Sequence, residues 1–468
     1  MTNYLEQILS YFRNIVLNKA GAERDLYQLI EDGDISTAIE MMQNRDEDVE
    51  EALKEYNPKT HEVMNRPNKQ RKSADAYKTE KLPRARQRYI NEVELFFLLG
   101  NNVVWSKKDG DDEAYELFNQ FLEEHRWFSK MRTAKRLAGA ETESAKLYHI
   151  YKDDESNDRK VVSLILSRSK GYQLRPFFDQ YNNLLAFAYG YKLKENGKNV
   201  QHWDIQTPEL LFYCKKGAIG WEVDTFKNPT GKINAIYYRQ NKAWGGVEAR
   251  LEREEMLDSK VADTNNYFAD PIASATADVV EFLSDRESTP AKLIQLAGGG
   301  SKFEYINPPQ NSETRESEKS ELKDSILFDT FTPDFSFNNL KGLGTLSGTA
   351  IKNAMILGYI KRDNLREIYD ELIDREKNVI IGILKYLYPN MASKLDSLVI
   401  EHELSEPFAI DNQAERQSIT NLYSSGVLSL EKAVEMLSLT DAPEEEIQRI
   451  KEEKTEKPEP VIGFKSEE

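Results

Sequence analysis

Cysteine is almost absent. The 468 residues contain one, Cys214, which excludes an intramolecular disulfide framework and a cysteine-based zinc site and fits a reducing compartment. Long apolar runs are missing too: no window of about 18 apolar residues occurs, so no membrane span is expected. The N-terminal stretch MTNYLEQILSYFRNIVLNKAG lacks a charged leader followed by an apolar core and a small-residue cleavage site. The expectation is a soluble chain, cytosolic when synthesised. Positive charge is in deficit, with 63 Lys plus Arg against 80 Asp plus Glu and a net charge of −17. A free-standing nucleic-acid binder is expected to be basic. A chain this acidic that meets DNA must meet it loosely, because its surface repels phosphate.

Catalytic and ligand motifs are equally scarce. The five histidines, His61, His125, His149, His202 and His402, show no metal-ligand spacing. The acidic clusters Asp109 to Glu113 and Glu444 to Glu446 lack the alternation of a calcium loop and read as solvated faces. Ser320 and Lys323 match the spacing of a serine–lysine nucleophile but sit in a charged helical pattern, where the match is chance. Gly298, Gly299 and Gly300 read as a hairpin turn, since no helix follows promptly to make a phosphate nest. Neither a cofactor nor a metal is expected.

What is present is size and organisation. At 39% hydrophobic and 10% aromatic content the chain can bury a sizeable core and form more than one domain. Residues 4 to 56 read as short amphipathic helices, and 57 to 83 as a polar, locally basic loop or arm. A helix follows in RARQRYINEVELFFLLGNN, stopped at Gly100, with a strand at Val103 to Trp105. Residues 115 to 140 read as helix, and Ser144 to Arg239 as an antiparallel sheet of alternating stretches such as KLYHIY, VVSLIL and LLAFAYGY. Helical patterns at 247 to 262 and 267 to 283 precede strand signals in KLIQLAGGGSKFEYI and the acidic helix SETRESEKSELKDSILF. A continuous helical pattern runs from Ser347 to Tyr388, long enough for roughly 60 Å if unbroken, with a bend plausible at Gly358 or Gly382. The strand SLVIEHEL then leads to helices at 412 to 424, 429 to 439 and 443 to 455, the second N-capped by Ser429, and to a tail that reads as disordered.

The segment GLGTLSGTAIKN, residues 342 to 353, resembles a phosphate loop at first sight. It fails the test. A P-loop requires a lysine that does not follow Gly348, and a dinucleotide loop requires a third glycine one position earlier and a preceding strand. Its local chemistry is a glycine hinge at Gly342 and Gly344, with Ser347 as N-cap and Gly348 in a slim first helical turn.

The order of these features resembles the portal proteins of tailed bacteriophages, in the siphophage-type family. The resemblance is carried by RARQRYINEVELFFLLGNNVVW, with Asn102 where the family usually has proline, and by FNNLKGLGTLSGTAIKN, which looks like the family's tunnel loop running into a helix. The long helix after it and the C-terminal stretch from LVIEHELSEPF to EEEIQRIKEE complete the likeness. It implies an α+β, mainly helical portal fold with wing, stem, clip and crown. The implied boundaries are a wing at 1–268 and 346–411, stem helices at 269–283 and 311–328, a clip at 284–310, a tunnel loop at 329–345, and a crown with a disordered tail at 412–468. It further implies a non-enzymatic ring of about twelve subunits at a capsid vertex, passing double-stranded DNA non-specifically during packaging and ejection. Implied partners are the terminase large subunit, a head–tail adaptor, and the major capsid and scaffolding proteins, in the virion and, during assembly, the host cytoplasm. Carried onto this chain, Asn338, Asn339 and Lys341 face DNA, and Lys292, Gln295 and Lys302 lie on the clip that meets terminase and adaptor. Of Phe331, Phe335 and Phe337, two are expected to anchor the loop and at most one to face the channel. Two rival classes remain: a metal-dependent phosphoryl or nucleotidyl transferase using the acidic residues, and a non-ring interaction protein built on the helical C-terminal segment.

Overall fold

The computed structural model describes residues 26–70, 76–152, 159–195, 197–269, 273–275, 279–283, 293–296, 300, 302–305, 312–337, 339, 341, 348–408, 413–437 and 443–456. Its class is mixed helix and strand, with helix the larger share at 53%. The chain divides into two compact units, one made of Met1–Phe335 with Met355–Pro407, the other of Ser336–Ala354 with Phe408–Glu468.

In the first unit, helices α1 (Ile35–Met41) and α2 (Asp46–Tyr56) lead to the arm, which carries two short strands, β1 (Lys69–Gln70) and β2 (Ala76–Tyr77). Helix α3 (Arg86–Leu99) stops at Gly100 and strand β3 (Val103–Asp109) begins, as the Gly-Asn-Asn stop predicts. The stretch read as one helix at 115 to 140 is two, α4 (Asp112–Glu124) and α5 (Trp127–Glu141), separated where Arg126 adopts a left-handed backbone with φ 49°.

The sheet region is antiparallel throughout, as its alternation predicts. Strands β4 (Glu143–Lys152), β5 (Arg159–Leu166), β6 (Gln173–Phe178), β7 (Leu184–Glu195), β8 (Lys198–Gln206), β9 (Leu210–Lys216), β10 (Trp221–Lys227) and β11 (Ala235–Arg239) form two sheets. One has the order β10-β9-β8-β7-β6, the other β11-β4-β5. Strand β7 shows why the pattern is nearly all apolar. Ala186 and Ala188 pack against the N-terminal helices through Leu26, Ile30, Ile35 and Met42, while the alternate Phe187 and Tyr189 pack against Leu147, Ala235 and Tyr237 of the three-stranded sheet. A strand buried on both faces needs apolar residues at both parities. Each fully buried large side chain contributes about 1.5–3 kcal/mol before chain entropy offsets most of it.

Helix α6 (Glu248–Ala269) follows, longer than its 247 to 262 pattern suggests. Of residues 269–283, expected as a stem helix, Ala269 ends α6 and the other described residues are strand: β12 (Ala273–Ala275) and β13 (Val279–Leu283). Strand β13 pairs with β14 (Leu293–Leu296), and β12 with β15 (Phe303–Tyr305), both antiparallel. Val279, Val280 and Phe282 favour the pleated ladder once a partner strand is within reach, and an apolar run this short carries no period that separates helix from strand. Strands β14 and β15 pair outward to β13 and β12, so the stretch containing the three glycines joins two ribbons and is not the turn of a β14–β15 hairpin.

Helix α7 (Ser312–Asp329) occupies the range expected for the second stem helix and packs antiparallel on α6, with ion pairs from Lys319 to Asp258 (2.7 Å) and from Arg253 to Glu318 (2.6 Å). After helix α8 (Gly348–Ala354), the pattern expected to be continuous is interrupted at Met355, where φ −103° and ψ 14° leave helical geometry, before α9 (Ile356–Leu387). The break comes three residues ahead of Gly358, and α9 runs through Gly382 to about 48 Å. A short helix α10 (Ala392–Asp396) and strand β16 (Val399–Leu404) close the first unit, β16 pairing antiparallel with β3. Helices α3, α4, α5 and α9 and the β3–β16 pair share one core that includes Leu98, Phe118, Trp127, Ile373, Ile380 and Ile400.

The second unit holds α8 and the C-terminal helices α11 (Gln413–Ser424), α12 (Leu430–Leu437) and α13 (Pro443–Glu456). Gly426 between α11 and α12 adopts φ 74°, and the Ser429 hydroxyl accepts from the Lys432 amide at 3.2 Å, the cap expected of it. The tail beyond Glu456 lies outside the described residues.

Candidate functional site

The segment singled out by sequence is 329–345, and its base is held by helices α3 and α7 of the first unit. The Tyr89 hydroxyl on α3 donates to the Pro333 carbonyl (2.7 Å) and accepts from the Phe335 amide (2.8 Å), while Lys323 on α7 pairs with Asp334. Thr330 and Thr332 share a buried hydroxyl–hydroxyl hydrogen bond of 2.9 Å. Phe335 is half-buried. Its ring meets Phe96 edge-on and stacks on Phe97, each with centroids 6.2 Å apart. Of the three phenylalanines, Phe335 alone takes the anchoring role expected of two: Phe331, at a left-handed φ of 49°, is 39% exposed and Phe337 is 71% exposed.

Past Phe335 the described residues are Ser336, Phe337, Asn339 and Lys341, with Asn339 and Lys341 exposed. The Lys341 ammonium sits 4.6 Å from the centre of the Phe337 ring, a cation–π contact that holds the charge outward. Asn338, Gly342, Gly344 and Ser347 lie outside the described residues, and Gly348 opens α8. On the expected clip, Lys302 is exposed, Gln295 lies in β14, and Lys292 lies outside the described residues. The residues expected on the tunnel loop and those expected on the clip are thus separated in the chain by helix α7.

Beneath the loop base lies a network that sequence reasoning missed. Glu94 on α3 is buried and pairs with Lys135 on α5, with Lys361 on α9 (3.3 Å) and with the Gln240 side-chain amide (2.9 Å). Gln240 in turn accepts from the Tyr369 hydroxyl at 2.9 Å, and the Lys361 ammonium donates to Thr332 at 3.4 Å. Burial alone would raise the Glu94 pKa, but the charges of Lys135 and Lys361 and the hydrogen bonds of Lys135 and Gln240 outweigh it and hold the carboxyl at about 2. Lys361 is pulled below the ordinary lysine value by burial, which Glu94 only partly counters.

The described part of the basic arm, whose path the sequence leaves open, is tied to its own chain: Arg66 pairs with Asp263 on α6 (2.7 Å). Just after the arm, Arg86 pairs with Glu254 (2.7 Å) and Arg84 with Asp258, also on α6. His61 is buried with both ring nitrogens on acceptors, Glu255 and the Glu55 carbonyl, each at 2.7 Å. Burial favours its neutral form, yet the hydrogen bond and charge of Glu255 and the Glu55 carbonyl win and raise its pKa. The basic residues Arg66, Arg84 and Arg86 and the acidic run EREEMLDSKVAD of α6 are the complementary charges that a sequence reading could have paired.

Among the described residues no group of three His, Cys, Asp or Glu side chains is placed to hold a metal ion. No described helix is long and apolar enough to cross a membrane. Within the first unit the loop base is anchored on Tyr89, Phe96 and Phe97 and linked to the Glu94 network through Lys361 and Thr332.

Comparison with known families places the chain. The family described as "Phage portal protein, SPP1 Gp6-like" matches residues 37–459. The chain belongs to that phage portal family. None of the individually curated proteins matches the sequence. Solved structures similar to this chain include the neck of the native GTA particle computed with C12 symmetry, at 11% identity and TM-score 0.40, covering 76% of this chain and 91% of that one. The virion of the native gene transfer agent (GTA) particle matches at 10% identity and TM-score 0.39, covering 75% and 89%. The neck of the empty GTA particle computed with C6 symmetry matches at 11% and 0.39, covering 76% and 89%.

Proposed function

We propose that the chain is the subunit of a portal ring of about twelve copies at one capsid vertex, and that the segment around Asn338, Asn339 and Lys341 lines a channel for double-stranded DNA. The observation that carries this reading is the family match from residue 37 to 459. In it, α6 and α7 serve as the stem, the β12–β15 and β13–β14 ribbons as the clip that meets the terminase large subunit and later the head–tail adaptor, and α11 to α13 as the crown. Major capsid and scaffolding proteins are its further partners.

Charge supports the channel reading. About twelve copies at −17 each give an assembly near −200, which discourages DNA from adhering to the wall. Lys341 is then a ring of isolated cations on an acidic background. An exposed contact of this kind is worth about 0.2–1 kcal/mol, enough to brush phosphates and too little to hold them. Lys341→Ala is expected to leave ring assembly intact and to reduce DNA packaging or retention. A phage carrying the variant that packages and retains DNA normally removes Lys341 from the DNA path.

The ring itself is tested by negative-stain electron microscopy with native mass spectrometry on the purified protein. Rings with an open centre and about twelve subunits are the expected result. A monomer or dimer at every protein and salt concentration overturns the proposal.

A further inference from the structure

A cavity of about 220 Å³ lies between α2, the turn at Glu62–Asn65, α3 and α6. Its wall carries six glutamates, Glu51, Glu55, Glu62, Glu248, Glu252 and Glu255, against Lys54 and His61. Part of that charge is already matched. Lys242 pairs with Glu51 and Glu55 at 2.9 Å and with Glu248 at 3.4 Å, and Glu255 holds His61. Glu62 and Glu252 are exposed and have no cationic partner among the described residues. The cavity thus keeps an excess of negative charge beside the buried apolar side chains of Trp244 and Leu251.

An acidic wall alone attracts counterions without choosing one. Gln87 on α3 adds a choice. It lines the same cavity, is 5% exposed, and its side-chain oxygen has no hydrogen-bond donor among the described residues. The donors nearby are engaged elsewhere: both His61 nitrogens face Glu255 and the Glu55 carbonyl, and the Trp244 indole N–H donates to the Glu55 carboxylate at 2.7 Å. Buried amide oxygens are almost always paired, and an acceptor set among carboxylates calls for a donor that brings positive charge. A bare metal ion does not fit, because no three of the described carboxylates and histidines are placed to ligate one. An ammonium or guanidinium carries several N–H donors at different angles and serves separated acceptors. We propose that this cavity binds a small organic cation, an ammonium or guanidinium on an aliphatic stem, with Gln87 as its neutral acceptor, Glu62 and Glu252 as its counter-charges, and Trp244 and Leu251 against its stem. The site lies wholly within the first unit and does not depend on the proposed portal function.

Isothermal titration of the full chain with n-butylguanidinium and n-butylammonium tests the site, each probe carrying a single charge so that the overall acidity of the chain does not dominate. Saturable binding of at least one probe at one site per chain is expected. Tetramethylammonium, which has the charge and no N–H, should bind about tenfold more weakly. Gln87→Met keeps the length of the side chain and removes the acceptor; it should weaken binding about tenfold without lowering the melting temperature of the unliganded protein. Glu252→Gln, at an exposed position, should weaken binding about twofold to fivefold. Glu209→Gln, an equal charge change at an exposed position between β8 and β9, should leave it unchanged. A blocked tripeptide with a central arginine identifies the source of the cation. Binding as tight as that of free butylguanidinium assigns the site to a side chain of a partner polypeptide, binding of the free cation alone assigns it to a soluble amine or guanidine, and either result supports the site. Three results overturn it: no saturable binding of either probe, tetramethylammonium bound as tightly as the N–H cations, or Gln87→Met and Glu252→Gln variants that both bind like the parent.

Discussion

Glu94→Ala is expected to cost about 3–5 kcal/mol of stability, the range for leaving buried charge without its partner. The reason is numerical as well as chemical. One carboxylate serves two ammonium groups, Lys135 with no exposed surface and Lys361 at 7%, and deleting it strands both. An exposed pair such as Lys385 with Asp396, where the aspartate side chain is 66% exposed, is worth about 0–1 kcal/mol. Thermal or denaturant unfolding of the purified protein reads the difference, and a Glu94→Ala variant within about 1 kcal/mol of the parent would refute the buttress. Acid gives a second reading of the same network. The Glu94 pKa is about 2 in the folded state against an ordinary 4.5, so its contribution, about 3 kcal/mol by linkage, is fully present above about pH 4.5 and is lost as the pH falls towards 2. Glu94→Gln should therefore flatten the acid limb of the stability curve relative to the parent, and an identical slope in both proteins would contradict the assignment.

The network was illegible in the sequence, and the reason is general. Lysine and glutamate are almost never fully buried unless paired, and a one-dimensional pattern assigns Lys135, Lys146 and Lys361 to solvated faces because their partners lie elsewhere in the chain. Glu94 comes from α3, Lys135 from α5, Gln240 from the end of β11, and Lys361 from α9. Only the tertiary fold joins them. The sheet was legible for the opposite reason: alternation in KLYHIY or LLAFAYGY is local and survives without knowledge of the partner. Residues 269–283 show the boundary between the two cases. Ala273 to Ala277 and the valines after them satisfy a helical template about as well as a strand, and the deciding fact was the presence of Leu293–Leu296 and Phe303–Tyr305 as partners. At the loop, the sequence offered Phe331, Phe335 and Phe337 without choosing among them, and only the tertiary contacts with Phe96 and Phe97 single out Phe335. Gly358 was read as a bend, whereas its role is to admit the Phe97 ring, a requirement set by a residue 261 positions earlier in the same numbering.

Lys146→Ala is expected to be comparably damaging, again about 3–5 kcal/mol, and its position gives that loss a functional meaning. Lys146 on β4 and Glu376 on α9 are both fully buried and 2.7 Å apart. Burial pulls the Lys146 pKa down, and Glu376 only partly restores it. The Glu376 carboxylate also accepts from the Tyr148 hydroxyl at 2.5 Å and from the Tyr238 hydroxyl at 3.3 Å, and the Lys146 ammonium lies 5.1 Å from the Trp127 ring centre. The sheet and the long helix are thus joined by a polar bolt inside an apolar core. A hydrophobic contact of similar area would hold them as firmly and would tolerate sliding by a turn; a pair with two tyrosine donors has one register. The double variant Lys146→Met with Glu376→Gln separates the two roles. It removes both charges, keeps volume and keeps an acceptor for the tyrosines, so its stability should return to within about 2 kcal/mol of the parent. If register is what the bolt supplies, that stable double variant still packages DNA poorly under the proposed portal function, because α9 carries Lys361, whose ammonium donates to Thr332 at the base of the proposed tunnel loop. A double variant that restores stability and packaging alike would show that the helix is held by packing alone.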